Sequence, residues 1–229
     1  MKSFQDAVDN PRAPHRIGFT RDLGIGPVDG EVADICASAV ARFAEVGTIV
    51  EESAPDCNDI LEIFQALRAA LFVGVRGPLL EKYRDYLKPE MIWNIEKGMS
   101  QSTGELAQAW VAQGALYQRL MEWFEDYDLL VLPTAISPPF DVNRRYLDQL
   151  DNHVFKNYID WVYLSYIATL TSSPAISIPC GFTSNGLPVG IQLVGKPRAE
   201  SELLSYAAKF EEILNMDKYT PIDPISINI

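Results

Sequence analysis

Few side chains in this sequence could break a bond. Ser172 and Ser173 form a serine pair, and Cys180 could pair with His153 in a thiol hydrolase. Glu51-Glu52 and Glu211-Glu212 are carboxylate pairs, and Gly24-x-Gly26 opens a glycine-rich turn. A serine nucleophile needs a base within relay distance and backbone donors about 3 Å from the developing oxyanion. Flexible glycines usually bring that backbone close. The chain holds no Gly-Gly pair and no Gly-x-Ser-Ser-Gly stretch, and no lysine lies within a few residues of Ser172 or Ser173. These serines therefore read as loop residues before Pro174. Cys180 lacks a local cue for a lowered thiol pKa. Adjacent carboxylates point in different directions and read as solvated surface. Gly24-x-Gly26 lacks the third glycine and the acidic residue of a dinucleotide fingerprint, so it reads as a turn. Cys36, Cys57 and Cys180 are odd in number and widely spaced, with only His15 and His153 to help. Neither a disulfide framework nor a metal site is indicated, and no cofactor motif is present.

The elements that could position a ligand are clearer. Ala175 to Ile178 and Val189 to Val194 flank Asn185-Gly186, which predicts a hairpin whose mostly apolar arms suit an interior position in a sheet covered on both faces. Pro179 and Pro188 cannot donate to a ladder and belong at strand ends or bulges. Asp128 to Leu132 predicts a buried strand ending in the rigid loop Pro133 to Pro139, at the strand edge where ligands sit in open α/β sheets. Phe155 to Leu170 has a helical pattern, and Val162, Tyr166 and Thr169 fall at i, i+4 and i+7, on one uncharged face.

Pro174-Ala175-x-Ser177-x-Pro179-x-Gly181, then Asn185-Gly186-Leu187-Pro188-x-Gly190-x-Gln192-x-x-Gly195, then a helix with Leu203-Leu204 and Phe210-Glu211, resembles the C-terminal end of the amidase-signature hydrolases. The resemblance extends upstream through Asp128 to Thr134 and Arg16 to Phe19. It implies an α/β fold with a mixed sheet flanked by helices, the C-terminal part of that family's fold. It also implies hydrolysis of a small carboxylic amide or ester by a Lys, a bridging Ser in a cis peptide and a nucleophilic Ser. Those three residues belong to the half that this chain does not resemble, so no catalytic residue transfers. What transfers is a substrate pocket, lined by the loop of Thr134 and by Val162, Tyr166 and Thr169, which favours an apolar or aromatic acyl group over a charged one. Relatives often carry Asn where Thr169 stands and Gly where Ser172 stands. The expected partner is an N-terminal amidase half or a second copy of the chain, and the chain alone is expected to be inactive. The rivals are a non-catalytic α/β binding module and a Cys180-dependent hydrolase.

The rest of the chain fits one large unit. Residues 1–15, with Pro11 and Pro14, read as an arm or linker, and residues 16–229 as the α/β domain. Arg16 to Thr20 and Thr48 to Glu51 flank a helix capped by Asp29 that runs from Gly30 to about Val46 and stops at Gly47. This predicts a parallel βαβ pair. Helices are expected over Asn58 to Gly77, Met91 to Gly98 and Thr103 to Tyr127, packed on one face of the sheet, with Thr103 as a cap and the stripe of Leu106, Trp110, Leu116, Tyr117, Leu120 and Phe124 in the core. Asn143 to Asn152 reads as a loop, Glu200 to Asn215 as the last helix, and Pro221 to Ile229 as an extended tail. A net charge of -12 and a pI near 4.6 argue against nucleic acid and anionic membrane surfaces. No apolar run is expected to reach bilayer length, and a reducing, cytoplasmic setting fits the unpaired cysteines.

Overall fold

In a computed structural model, which describes residues 3–216, the chain forms a five-stranded mixed sheet in the order β2-β1-β3-β7-β6. Strands β1 (Arg16–Phe19) and β2 (Ile49–Glu52) run parallel, as do β1 and β3 (Leu129–Pro133). Strand β7 (Pro188–Val194) lies antiparallel between β3 and the outer strand β6 (Ala175–Phe182). The sequence between β1 and β2 forms α2 (Gly30–Ala41), which continues as a 3-10 turn, Arg42–Val46. Asp29 caps it by accepting the Val32 N–H at 3.0 Å. Gly47 ends it at φ 87°, a left-handed conformation that glycine reaches without steric cost.

Strand β3 shows how the sheet is covered. Its side chains alternate, with Leu129 and Val131 packing among Ile17, Cys36, Val40, Phe43 and Phe210. Leu130 and Leu132 pack among Ile63, Leu116, Leu120, Phe124 and Leu170. The first layer comes from α2 and α7 (Glu200–Leu214), the second from α3 (Ile60–Tyr83), α5 (Thr103–Asp126) and α6 (Tyr166–Thr171). A strand buried on both faces carries a continuous apolar run, which is what Leu129-Leu130-Val131-Leu132 is.

The expected helices appear with several differences. Helix α5 is capped by Ser102 rather than Thr103, in a reciprocal box with Glu105. Trp110 and Tyr117 of its expected core stripe are 59% and 41% exposed. Helix α3 is longer than its apolar pattern suggested. With its 3-10 extension to Tyr86 it is long and apolar enough to cross a membrane, with mean hydropathy 1.3 over its best window, which corrects the expectation that no run reaches that length. It is nonetheless tied laterally by side chains in its N-terminal half, Gln65 to Asp160 at 2.8 Å and Arg68 to Tyr158 at 3.0 Å. α4 (Pro89–Ser100) packs along it.

Three other stretches depart from the sequence reading. Residues 3–15 are docked rather than a free arm: Ser3 caps α1 (Phe4–Asp9), α1 packs on α7, and the Arg12 N–H donates to Ser205 at 3.0 Å. The expected loop at 143–152 contains β4 (Gln149–Leu150), which pairs with β5 (His153–Val154). The hairpin is interior only in its second arm, because β6 is the outer strand and its face bearing Ala175, Ser177 and Pro179 is exposed. Pro179 does sit at the register shift of β6 and Pro188 at the start of β7. The tail Pro221 to Ile229 lies outside the described residues.

Candidate functional site

Beyond the carboxyl end of β3 the chain must turn, and the turn is held from two sides. The Thr134 N–H donates to the Gly190 carbonyl at 3.0 Å, and the Asp29 N–H to the Ile136 carbonyl at 2.8 Å. Pro138 and Pro139 stiffen the far side of the turn. Between this loop, the β6–β7 hairpin and Trp161 lies a cavity of about 410 Å³. Phe140 and Trp161 meet edge to face at 5.5 Å to form one wall, with Val32 and Val189 among the other lining residues. At the base of β3 and β6, Thr134 Oγ1 and Ser177 Oγ share a hydrogen bond of 2.7 Å. Gly190 permits that contact, since a Cβ there would stand 3.0 Å from the Ser177 hydroxyl and 3.1 Å from that of Thr134.

No side chain lining this cavity ionises near neutral pH. It offers hydrocarbon surface and hydroxyls that can donate or accept, which suits a neutral group with an apolar body. A hydroxyl pair without a base does not make a nucleophile. The lining has room for a neutral group, and no nucleophile–base pair is found in it among the described residues.

Of the sequence-predicted pocket residues, the cavity gathers Thr134. Val162, Tyr166 and Thr169 are not among its lining residues, and Val162 does not continue the helical face of the other two. Val162 interrupts the helix, at φ -101° and ψ 21° inside the 3-10 turn Asp160–Ser165 that precedes α6. Local side-chain bonds compete with the helical ladder there: Asn157 Oδ1 accepts the Ile159 N–H at 3.1 Å, Asn157 donates to Asp160 at 2.8 Å, and the Tyr166 hydroxyl donates to the Ile159 carbonyl at 2.5 Å. Tyr166 is fully buried and stacks on Phe64 at 3.5 Å, and burial, with Asp160 nearby, pushes its phenol pKa up. Thr169 is exposed and donates to the Ser165 carbonyl at 3.1 Å. Ser177, Phe140 and Trp161 escaped the sequence reading. The alternation of β6, which puts Ser177 opposite Ile176 and Ile178, was the available signal for the first; nothing local marks the other two.

The rival nucleophiles have structural partners. Ser172 ends α6 at φ 53°, the left-handed position that explains why a glycine suits it. Ser173 is buried and hydrogen-bonds Thr171 at 2.9 Å. Cys180 lies 3.8 Å from Cys36 and donates to the Val189 carbonyl at 3.4 Å, whereas His153 packs against Phe155, with ring centroids 4.9 Å apart. No hydrogen bond joins Cys180 to His153 among the described residues. The contact with Cys180 and burial raise the Cys36 thiol pKa, and burial pushes that of Cys57 up to about 12, so both stay protonated.

This sheet, its two helical layers and the neutral cavity at the end of β3 define an α/β scaffold with a ligand-sized cavity. The model of the Amidase family matches residues 1–204, and the chain belongs to that family. It is 26% identical over 226 residues to an acylamidase of Rhodococcus erythropolis, covering 93% of this chain and 45% of that one. It is 39% identical over 235 residues to a glutamyl-tRNA(Gln) amidotransferase subunit of Thermodesulfovibrio yellowstonii, covering 90% of this chain and 46% of that protein. Among solved structures, a bacterial aryl acylamidase of the amidase-signature family superposes with a TM-score of 0.82 at 21% identity, over 95% of this chain and 47% of the other. A 6-aminohexanoate cyclic dimer hydrolase does so with a TM-score of 0.77 at 20% identity, over 93% and 48%. The chain thus spans about half the length of the relatives it matches, and represents a partial amidase-signature segment.

Proposed function

We propose that this chain supplies the substrate-pocket portion of an amide hydrolase and is inactive by itself. The observation that carries the reading is the cavity at the end of β3, which is shaped and apolar yet contains no ionisable group. The partner in this reading is a segment that brings the family's Lys and Ser residues, either a separate N-terminal half or one continuous with this chain. The free edge of the outer strand β6 is where such a segment would extend the sheet. The substrate is a small neutral amide or ester with an apolar or aromatic acyl group, because a charged group beside Phe140 and Trp161 would lose water without gaining a partner. We place the protein in the cytoplasm on the same grounds as its three unpaired cysteines.

The test is labelling with a fluorophosphonate serine probe. Removing one member of a catalytic unit typically costs orders of magnitude, and here the whole unit is absent. The chain alone should take no label and hydrolyse no aryl amide. Mixed with an amidase N-terminal half that carries the Lys and the Gly-Ser-rich segment, label should appear on a serine of that half. Stoichiometric adduct on Ser172, Ser173 or Ser177 of the chain alone would falsify the proposal.

A further inference from the structure

A second cavity, of about 390 Å³, lies between α3, the start of α4 and the strand-poor stretch around Tyr146. Its chemistry is the reverse of the first. Arg68, Lys88 and Arg145 all line it, against one carboxylate, Glu90, which is paired with Arg145. In a chain of net charge -12, three cations converging on one cavity are not a sampling of the average surface. The deepest of them is fixed in place: Arg68 lies over the Phe72 ring at 4.5 Å and donates to the Tyr158 hydroxyl at 3.0 Å, while its Nε is buried without a partner.

Tyr158 sharpens the inference. Its oxygen accepts from Arg68 and also from Asn94, whose amide orientation is set by its donation to the Glu90 carbonyl at 2.9 Å. Both contacts bring N–H donors to the oxygen, and no hydrogen bond donated by the Tyr158 hydroxyl is found among the described residues, which leaves its proton for a ligand. The site therefore offers a directed O–H donor beside a guanidinium, with two more cations at its mouth. Helix α4 adds to this, since it begins at Pro89 with no side-chain cap. The remaining lining residues, Phe72, Met91 and Tyr146, are apolar or aromatic.

We propose that this cavity is a binding site for a small organic oxyanion with an apolar or aromatic body, its charged head on Arg68 and Tyr158 and its body against Phe72, Met91 and Tyr146. Carboxylate and phosphate monoester heads share the required chemistry. The site is separate from the neutral cavity and does not depend on the reading of that cavity as a substrate pocket.

The test is titration of the full chain by calorimetry at constant ionic strength with three probes: benzoate, phenyl phosphate and inorganic phosphate. Saturable binding of benzoate or phenyl phosphate, tighter than inorganic phosphate by about tenfold or more, is expected from burial of the ring. Which of the two aryl probes binds tighter identifies the head group. Arg68→Gln should weaken the bound probe by about tenfold, the scale of one charge-assisted hydrogen bond. Because Arg68 also contributes packing, two variants at the mouth act as independent readouts. Lys88→Gln should weaken binding by about threefold and flatten its salt dependence. Glu90→Gln should tighten it, by removing the one carboxylate among the described lining residues and releasing Arg145; a merely structural Glu90 would not do so. No binding of any probe, equal binding of inorganic and phenyl phosphate, or unchanged affinity in both Lys88→Gln and Glu90→Gln would overturn the proposal.

Discussion

The two edges of the sheet are finished differently. At β2 the outer strand ends in Glu51-Glu52, and α5 reaches across it: Trp123 donates to Ser53 at 2.9 Å, Tyr127 stacks on Trp123 at 4.3 Å, and Arg16 lies over the Tyr127 ring at 4.8 Å. Charge and cover are the devices by which proteins prevent strand addition. At β6 the sequence is Ala175-Ile176-Ser177-Ile178-Pro179-Cys180-Gly181-Phe182, without a charge, and one face has no covering layer. Ile178 and Cys180 pack beneath α2 and α7, while Ala175, Ser177 and Pro179 face outward. One edge is built to end a sheet, and the other is built to be continued.

That contrast predicts where side chains matter. Leu193 lies on β7, one strand inward from the open edge, and is fully buried in the α2–α7 layer. Leu193→Ala should cost about 3 kcal/mol through lost burial and a residual cavity, read by chemical denaturation. A cost near zero would mean that the β6–β7 hairpin is loosely attached and that the open edge extends inward to β3.

Ala175 is exposed on β6, so Ala175→Lys should leave stability within about 0.5 kcal/mol. Its effect should appear in association. The wild-type chain is expected to self-associate in sedimentation velocity and to bind a hydrophobic dye, because the uncharged edge is accompanied by exposed Leu71, Val75 and Val111. Lysine on the edge should shift the association constant by about tenfold toward monomer. A monodisperse wild-type monomer without dye binding would remove the distinction between the two edges.

How much of this was legible follows from how local each cause is. The α2 unit could be read residue by residue, because Asp29, the apolar spacing and Gly47 act within a few positions of themselves. The β6–β7 hairpin was legible for the same reason, down to the bulge at Pro179. Its position at the edge was not, since an apolar strand has the same sequence whether its neighbour is within the chain or elsewhere. Val162 does not continue the face of Tyr166 and Thr169, because the i, i+4, i+7 rule assumes an unbroken helix, and Asn157 and Tyr166 instead bond the Ile159 backbone just ahead of Val162. The neutral cavity was half legible. Thr134 follows from its place at the end of β3, whereas Phe140, Trp161 and Ser177 reach it only through tertiary packing. Arg68, Lys88 and Arg145 lie far apart in the sequence, and their convergence depends on how α3 meets α4 and the loop at 145.

The closed edge carries the smallest predicted effect and one with a definite pH dependence. Glu51 Oε2 accepts from Arg16 Nε at 2.8 Å and from the Tyr127 hydroxyl at 3.0 Å. The Arg16 hydrogen bond first, then that of Tyr127, holds its carboxyl below the ordinary value of 4.5. A carboxylate with a depressed folded pKa binds its proton more readily in the unfolded chain. Its contribution is therefore fully present above 4.5 and is lost as pH falls through the lower, folded value. Glu51→Gln should lower the melting temperature slightly at neutral pH, since both partners are substantially solvated and the pair is screened. The gap between the two proteins should begin to close as the pH falls below 4.5 and vanish below the lower folded value, where the wild-type carboxyl is itself neutralised. A gap that stays constant down to about pH 3 would show that Glu51 acts through shape rather than charge, and the closed edge would then owe its finish to the Trp123–Tyr127 stack alone.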